Sequence, residues 1–288
     1  MSDVVTRGVM KSIRYLLIIV VSVWTLAPVA WMVSLSFKGP TEWYSPNIIP
    51  IQPIIDNYVS LFIPTNPIGG SYFFTSITEP ITKPLINSLI AAGLGTIFAV
   101  LIGFLAAYGV SRYRAGGTFV IFFTLLTRML PGATFVAPLM VFYASIGFVD
   151  TYAGLIMLYA AVTLTYAIWL MKGFIDEIPP EWEEAALLEG ASPWTVLRKI
   201  TIPLTKGGLV ASALFIFILN WSEFLFALVI SVTQVTTLPV QISTYVSAVG
   251  RMYGTMASLG LVATIPSLVL GYLIQRHLVT GFTFGRVR

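Results

Sequence analysis

The chain alternates between long uncharged, apolar runs and short clusters of charged residues. A membrane-spanning helix needs about 20 apolar residues, because each residue adds about 1.5 Å and the hydrocarbon core is about 30 Å thick. The runs reach that length and do not alternate apolar with polar positions, so they predict helices and not barrel strands. The pattern predicts an all-α membrane protein with about six transmembrane helices, at 15–37, 84–110, 117–147, 152–174, 206–232 and 255–276.

The composition excludes most soluble classes of protein. Of the 288 residues, 57% are hydrophobic and 10% are charged, with a mean hydropathy of +0.89, whereas soluble domains are about one-quarter charged. The chain has no Cys and a single His, His277, so we expect no metal site and no catalytic set of an intramembrane enzyme. The net charge of +4 comes from Arg and Lys that flank the apolar runs, which does not predict nucleic-acid binding.

The positive residues predict the orientation in the membrane. Cytoplasmic loops keep an excess of Arg and Lys, and twelve of these residues fall on the side of the two termini against three on the other. We therefore expect both termini in the cytoplasm, an extracytoplasmic loop at 39–80 and a cytoplasmic loop at 175–205. The first run carries Trp24 and Trp31 and has full spanning length, which is typical of an uncleaved anchor.

The loop at 175–205 begins with signals for a short helix. Pro179 and Pro180 suit a helix start, and the acidic residues that follow complement the positive end of the helix dipole. Gly190 suits the left-handed position that ends a helix. We therefore expect one helix between Pro180 and Gly190.

A second helix is predicted directly after this turn. Ser192 suits the N-cap and Pro193 the first helical position. We expect the helix to end with Arg198 and Lys199, and Pro203 to stop it before the fifth span. The apolar contact area of the loop comes from Trp182, Leu187, Leu188 and Trp194. From these residues alone, the loop fits a groove in a partner protein or an amphipathic position on the membrane surface.

The spacing within the loop resembles a known signature. The matching positions are Glu184, Ala185, Ala186, Gly190, Ile200 and Pro203. They resemble the EAA signature of permeases in binding-protein-dependent ATP-binding-cassette importers, with Ile202 where Leu is usual. The resemblance implies that the loop docks into a cleft of a cytoplasmic ATPase, with Glu184 in contact and Gly190 setting the turn.

The same resemblance implies the partners of the chain. They are a dimer of cytoplasmic ATPases, an extracytoplasmic solute-binding protein and a second homologous permease in a heterodimer. The chain lacks the G-x-x-x-x-G-K-[ST] loop that cradles phosphates, so we expect it to bind no cofactor itself. ATP and Mg²⁺ would be used by the partner ATPase, and this chain would not be an enzyme.

Four further segments narrow the resemblance to carbohydrate-type permeases, similar to the smaller membrane subunit of maltose importers. They are NSLIAA from Asn87, AAYGVSRYR ending at Arg114, RMLPGATFVAPL from Arg128 and WSEFLFAL from Trp221, with Ser222 where Asn is usual. The likeness implies a type I importer permease fold and one transmembrane permease domain over 1–288, with its core at 84–276. It also implies a sugar-like solute and a location in the bacterial inner plasma membrane.

Five residues inside the apolar runs are candidates for the translocation path: Asn87, Arg128, Asn220, Trp221 and Glu223. A charge at membrane depth is costly unless it faces a bundle interior or a wet cavity. Arg128 and Glu223 therefore line the path or belong to a structural network, which includes pairing with each other. Asn87, Asn220 and Trp221 offer hydrogen bonds and a stacking face to a sugar, or they serve helix packing.

The third predicted span contains Pro131, Gly132 and Pro138, which we expect to kink or loosen its helix. A self-contained secondary carrier is the alternative function. It would need its own coupling-ion site, for which Arg128 and Glu223 are candidates. That alternative leaves the spacing of the EAA signature unexplained.

Overall fold

A computed structural model describes residues 2–63, 80–231, 233–247 and 250–284 of the chain. Its first helices are α1 (Ser2–Ser36), α2 (Asp56–Phe62), α3 (Thr82–Tyr113), α4 (Gly117–Met129), α5 (Ala133–Ser145) and α6 (Tyr152–Asp176). There follow α7 (Pro180–Leu188), α8 (Pro193–Val196), α9 (Ile202–Leu204), α10 (Lys206–Trp221), α11 (Leu225–Ile230), α12 (Leu238–Thr244) and α13 (Tyr253–Phe284). A short antiparallel hairpin pairs β1 (Val246–Ser247) with β2 (Gly250–Arg251). The prediction of an α-helical protein is confirmed.

Four helical segments among the described residues are long and apolar enough to cross a membrane: Met10–Ser36, Thr82–Tyr113, Tyr152–Asp176 and Tyr253–Leu273. They coincide with the first, second, fourth and sixth predicted spans. A fifth candidate is the pair Pro193–Leu204 and Lys206–Trp221, which bends by 72° and includes the start of the fifth predicted span. The third predicted span consists of two shorter apolar helices, α4 and α5.

The third span is interrupted where the sequence predicts a break. Helix α4 ends at Met129, Leu130 takes an extended conformation, and α5 begins at Ala133. Leu130 precedes Pro131, and a residue before proline is disfavoured in the helical region. Pro131 also lacks the N–H needed to continue the ladder, so the break follows from local chemistry.

The fifth span is interrupted as well, between Trp221 and Leu225. The carboxylate of Glu223 accepts hydrogen bonds from the backbone N–H groups of Phe226 at 2.9 Å and Ala227 at 3.0 Å. Glu223 thus satisfies the first free donors of α11. The prediction of one continuous fifth span is corrected here, because a capping carboxylate in the run favours a new helix start.

The two interruptions lie side by side. A Cβ atom on Gly132, at the start of α5, would lie 3.3 Å from Cζ of Phe226 and 3.8 Å from Cδ2 of Leu225. Phe226 and Leu225 both belong to α11, which packs against α5 and α6. The irregular backbone of the third span and that of the fifth therefore form one region.

The chain folds as two compact units, one of Met1–Ile81 with Ile242–Thr264 and the other of Thr82–Gln241 with Ile265–Arg288. The core of the second unit is the pairing of α3 with α6, which run parallel. Asn87 accepts a hydrogen bond from the Tyr152 hydroxyl at one end, and Ser111 donates to Asp176 at the other. The chain must therefore cross back between α3 and α6, and α4 and α5 together make this return.

Small residues let α3 approach α6 closely. They recur every fourth position on one face of α3: Ala91, Gly95, Ala99, Gly103 and Ala107. A Cβ on Gly95 would lie 2.8 Å from Cβ of Tyr159, and a Cβ on Gly103 would collide with Ala167. Such small-residue faces are typical of helix contacts in membranes, where close packing replaces the hydrophobic effect.

In the first unit, α1 leads into a folded segment after its end at Ser36. The side chain of Lys38 is fully buried there; its ammonium donates to the carbonyl of Ser45 at 3.0 Å and of Asn47 at 2.5 Å. It also lies 4.5 Å from the centre of the Trp31 ring, a cation–π contact. These contacts fold residues 39–47 of the predicted 39–80 loop back onto the end of α1.

Candidate functional site

The first helix of the 175–205 loop begins and ends as the sequence predicts. Helix α7 starts at Pro180 and ends at Leu188, and Gly190 has a φ of +90°. The N–H of Gly190 donates to the carbonyl of Leu187 at 3.0 Å, and that of Ala191 to the carbonyl of Ala186 at 3.0 Å. This pair of bonds is a Schellman motif, which favours glycine at the left-handed position.

The second half of the loop starts as predicted and ends differently. The Ser192 hydroxyl accepts from the N–H of Thr195 at 3.2 Å, so the predicted N-cap is confirmed. The helix does not end at Arg198 and Lys199, because α8 continues through a π-helical turn, Leu197–Thr201, into α9. The wider turn hydrogen-bonds Ile202 N–H to Leu197, which accommodates Pro203 inside a continuing helix.

An ion pair lies beneath the helical hairpin that α7 and α8 form. The carboxylate of Glu183, 4% exposed, accepts from Nε of Arg112 at 2.7 Å. Its other oxygen accepts from the hydroxyl of Thr201 at 2.7 Å. Glu183 therefore links the last turn of α3 to both halves of the loop.

Arg112 also contacts the end of α6. One terminal nitrogen donates to the carbonyls of Ile175 and Ile178, at 3.0 Å each, and the other donates to the Ser111 hydroxyl at 3.2 Å. These carbonyls lie in the last turn of α6 and just after it, where a cation is favourable. Asp176 of the same turn pairs with Lys172. The guanidinium thus joins α3, α6 and α7.

The role of Glu183 was missed at the level of sequence, where it counts only as an acidic residue at a helix start. Two adjacent carboxylates, Glu183 and Glu184, stand in α7, and neighbours on a helix cannot share one face. Arg112 is one of the twelve positive residues counted on the side of the termini, so it is predicted on the same side of the membrane as α7. These two signals together favour one buried and one exposed carboxylate, but they do not say which is which.

Apolar packing holds the second half of the loop. Leu197 is buried in a cluster with Phe104 of α3 and with Met171 and Ile175 of α6. Ile202 packs against the same cluster from the side of α9. The inner face of the loop is therefore part of the core of the second unit.

The outer face of the loop is exposed and largely apolar. Leu188 is 90% exposed, Trp194 64% and Trp182 55%. The predicted docking residues divide accordingly: Glu184, Ala185, Gly190 and Pro203 are exposed, and Ala186 and Ile200 are half-buried. An exposed apolar knob on a fixed base is a surface suited to a protein partner.

Two of the translocation-path candidates lie in packing positions. Asn87 is buried; its amide donates to the carbonyl of Thr236 at 2.9 Å, besides accepting from Tyr152. Asn220 is buried and donates to the hydroxyl of Thr96 at 3.2 Å. The two asparagines thus hold different parts of the second unit and are not brought together.

The other three candidates have distinct surroundings. Trp221 is buried and stacks on Phe217, with ring centres 5.8 Å apart. Glu223 caps α11, as described above. Arg128 lies in the last turn of α4, and its side chain is outside the described residues, as is any pairing with Glu223.

The opposite end of the second unit, beside Asn87 and Tyr152, is held by Asp150. Its carboxylate accepts from the backbone N–H groups of Thr233, Gln234 and Val235, at 2.8 to 3.2 Å. Partial burial raises the pKa of Asp150, but these bonds and that from the Thr233 hydroxyl outweigh it and lower the pKa from its ordinary value. The turn between α5 and α6 is thereby fastened to the segment after α11.

The family model described as "Binding-protein-dependent transport system inner membrane component" matches residues 99–283, more than half of the chain. The chain belongs to this family. Its match includes the whole 175–205 loop, so the fixed hairpin just described is part of a binding-protein-dependent permease.

Curated relatives of this family cover nearly the whole chain. The trehalose transport system permease protein SugB of Mycobacterium tuberculosis is 35% identical over 269 residues, which are 92% of this chain and 93% of the relative. The trehalose/maltose transport system permease protein MalG of Thermococcus litoralis is 32% identical over 282 residues, 96% and 97% of the two chains. Both relatives are named as permeases and not as enzymes.

A solved structure supports the fold of the permease. A chain in the crystal structure of a bacterial ABC transporter that imports the acidic polysaccharide alginate matches with a TM-score of 0.72. The match covers 94% of this chain and 97% of that one, at 17% identity. The chain therefore has the type I importer permease fold.

Membership confirms the predicted class of function. The chain is a permease subunit of an ABC importer and an inner-membrane component, and it is not an enzyme. Membership of this family implies that the chain works with a separate ATPase and a binding protein. The predicted alternative of a self-contained secondary carrier is not supported.

Proposed function

We propose that the chain is the membrane path for a sugar or sugar-like solute that an external binding protein delivers, driven by a separate ATPase through the 175–205 loop. The exposed apolar knob of that loop, on a base held by the buried Glu183 carboxylate, carries the proposal. A partner that pushes on the knob therefore acts on a loop whose inner face is part of the core of the second unit.

The charge of the outer face favours a protein partner over the membrane surface. The loop exposes two cations, Arg198 and Lys199, against five carboxylates: Asp176, Glu177, Glu181, Glu184 and Glu189. Anionic lipids attract Lys and Arg and repel carboxylates. We therefore infer that the knob fills a groove in the ATPase, with Glu184, Ala185 and Ala186 at the contact and Gly190 setting the turn.

The names of the relatives support a carbohydrate as the solute. Trehalose and maltose appear in the names of two relatives that align over more than nine-tenths of this chain. A sugar offers hydroxyl groups to polar side chains and apolar faces to aromatic rings. Of the path candidates, Arg128 and Glu223 at the two helix interruptions are the ones we infer to lie near the solute.

The exposed apolar surface of the chain supports the proposal of a second permease beside it. The α1 segment Met10–Ser36 buries none of its most apolar window within the chain, and Phe119 of α4 and Val141 of α5 are about 70% exposed. Lipid and a second, homologous permease would cover such surfaces. We propose a heterodimer of permeases with an ATPase dimer that binds ATP and Mg²⁺, this chain acting as one permease domain without a cofactor.

The arrangement of the second unit also supports an orientation in the membrane. We propose that the end of the second unit with Arg112 and Glu183 faces the cytoplasm, as do both termini. The end with Asn87 and Asp150 then faces the binding protein. This orientation agrees with the distribution of Arg and Lys.

The test is purification of the full chain from its native membrane in mild detergent, with identification of the co-purifying subunits and their ATPase response to trehalose and maltose. Glu184→Lys changes an exposed carboxylate of the knob, and Glu177→Lys is the control because Glu177 is exposed before α7. We expect an ATPase with the wild type and the control, and at least tenfold less with Glu184→Lys.

Two results would contradict the proposal. A chain that purifies alone and moves trehalose or maltose in liposomes without ATP would identify a secondary carrier. Equal retention of the ATPase by both variants would exclude the knob as the docking surface.

A further inference from the structure

The pair of Arg112 and Glu183 is placed where it can direct movement as well as hold the loop. The structure has two ion pairs among the described residues, and only this one has both side chains nearly buried, at 11% and 5% exposure. A buried charge is tolerated only with a well-placed partner, so the geometry of such a pair is strongly specified.

The apolar cluster around Leu197 already supplies attachment of the loop to the core. The hydrophobic effect is not directional, so by itself it favours contact between the packed elements more than one particular angle. A guanidinium differs because its planar fork fixes both distance and angle. Arg112 uses that fork on two elements at once, the end of α6 and the Glu183 carboxylate of α7.

The second oxygen of Glu183 extends the linkage. It accepts from Thr201, which is fully buried in the π-helical turn that leads to α9 and α10. The hairpin is thereby bonded to α3 through Arg112 and, through Thr201 and Thr205, to the start of α10. None of these bonds involves the exposed face that meets the partner.

We propose that Arg112 is a positioning residue for energy coupling: it makes the loop and the adjoining ends of α3 and α6 move as one body when the ATPase displaces the knob. This rests on the proposed function of the loop as the docking site. The pair thus acts in transmission, whereas the exposed knob acts in docking.

The test uses the complete importer in proteoliposomes with its binding protein, and the probe is whichever of trehalose and maltose the wild-type complex transports. The variants are Arg112→Lys, which keeps the charge and loses the fork, and the double variant Arg112→Gln, Glu183→Gln, which replaces the pair with neutral polar groups. Lys172→Gln is the control, since it breaks the other ion pair at the same end of the unit. The amount of bound ATPase, the unfolding temperature and the sugar transported per ATP are measured.

We expect both pair variants to retain the ATPase within twofold of the wild type while sugar transported per ATP falls at least tenfold. The control should change neither value by more than twofold. A double variant with normal transport per ATP would show that the pair serves stability alone and would overturn the proposal.

Loss of the ATPase from Arg112→Lys, at an unchanged unfolding temperature, would assign the residue to docking and would also overturn it. If Arg112→Lys unfolds, the double variant decides, because neutral replacement of both partners avoids an unpaired buried charge. Absence of any ATPase from the wild-type preparation would contradict the proposed function itself and is read before the variants.

Discussion

The hydroxyl of Thr233 donates a hydrogen bond of 2.6 Å to the carboxylate of Asp150, across 83 positions of the chain. Backbone N–H groups of the same segment converge on this carboxylate, and the N–H of Asp150 donates to the carbonyl of Ile230 at 2.7 Å. The turn between the third and fourth spans is therefore tied to the end of the fifth.

Asp150 makes the stability of this end depend on pH. Its pKa is lower in the folded chain than its ordinary value, because hydrogen bonds to the carboxylate outweigh the opposing effect of partial burial. The stabilisation is fully present above the unfolded pKa, near 3.8, and is lost as the pH falls through the folded pKa. We expect Asp150→Asn to lower the free energy of unfolding by about 1 kcal/mol at neutral pH and to weaken its acid dependence.

Thermal unfolding in detergent between about pH 3 and pH 7 measures both effects. Asp56→Asn, which changes an exposed carboxylate of α2, is the control. An acid dependence of Asp150→Asn equal to that of the wild type would refute this assignment.

The closeness of α3 to α6 predicts intolerance to one methyl group. A Cβ on Gly103 would collide with Ala167, whereas a Cβ on Gly93 of the same helix has no neighbour within 4 Å. We expect Gly103→Ala to destabilise the protein by about 1 to 3 kcal/mol through overpacking, and Gly93→Ala to be neutral or slightly stabilising. The unfolding temperatures of the two variants test this prediction. Equal temperatures would mean that α3 and α6 can move apart at no cost in stability.

The turn at Gly190 in the 175–205 loop predicts a local effect of alanine. Gly190 has a φ of +90°, which a residue with a Cβ adopts at a cost of about 1 kcal/mol or more. We expect Gly190→Ala to lower stability by that amount and to reduce ATPase retention. Gly173→Ala, at an open helical position in α6, is the control. Retention of the ATPase at wild-type level by Gly190→Ala would show that the turn adapts.

The buried ammonium of Lys38 predicts an effect in the first unit. Lys38→Met fills a similar volume but leaves the carbonyls of Ser45 and Asn47 without their donor, at a cost of about 2 kcal/mol. We expect faster proteolysis within residues 39–63 and a lower unfolding temperature. Lys83→Met, which changes an exposed lysine, is the control. An increased stability of Lys38→Met would mean that desolvation of the ammonium costs more free energy than its hydrogen bonds contribute.

Local rules account for what the sequence predicts well. The caps at Gly190 and Ser192 and the break before Gly132 each depend on a few neighbouring residues and their backbone preferences. The spans follow from length and hydropathy in the same way. These features need no knowledge of distant contacts.

Features that depend on distant contacts were not predictable. Glu183 and Arg112 are 71 positions apart, and nothing in either segment alone indicates their pairing. The same holds for Asn87 and its bond to Thr236. The break before α11 contains no proline or glycine, and its one signal is Glu223, a carboxylate able to cap a helix, within an apolar run.

The adjacency of the two interruptions, where Gly132 lies against Phe226, has a consequence for solvation. Each break frees peptide groups from the helical ladder, and hydrocarbon offers them no hydrogen-bond partner. Non-helical backbone at membrane depth persists only against other protein or against water. Lipid tails are therefore excluded from this region of the permease, where the chain's own groups, as at Glu223, together with water or a neighbouring subunit, take the place of the helical partners.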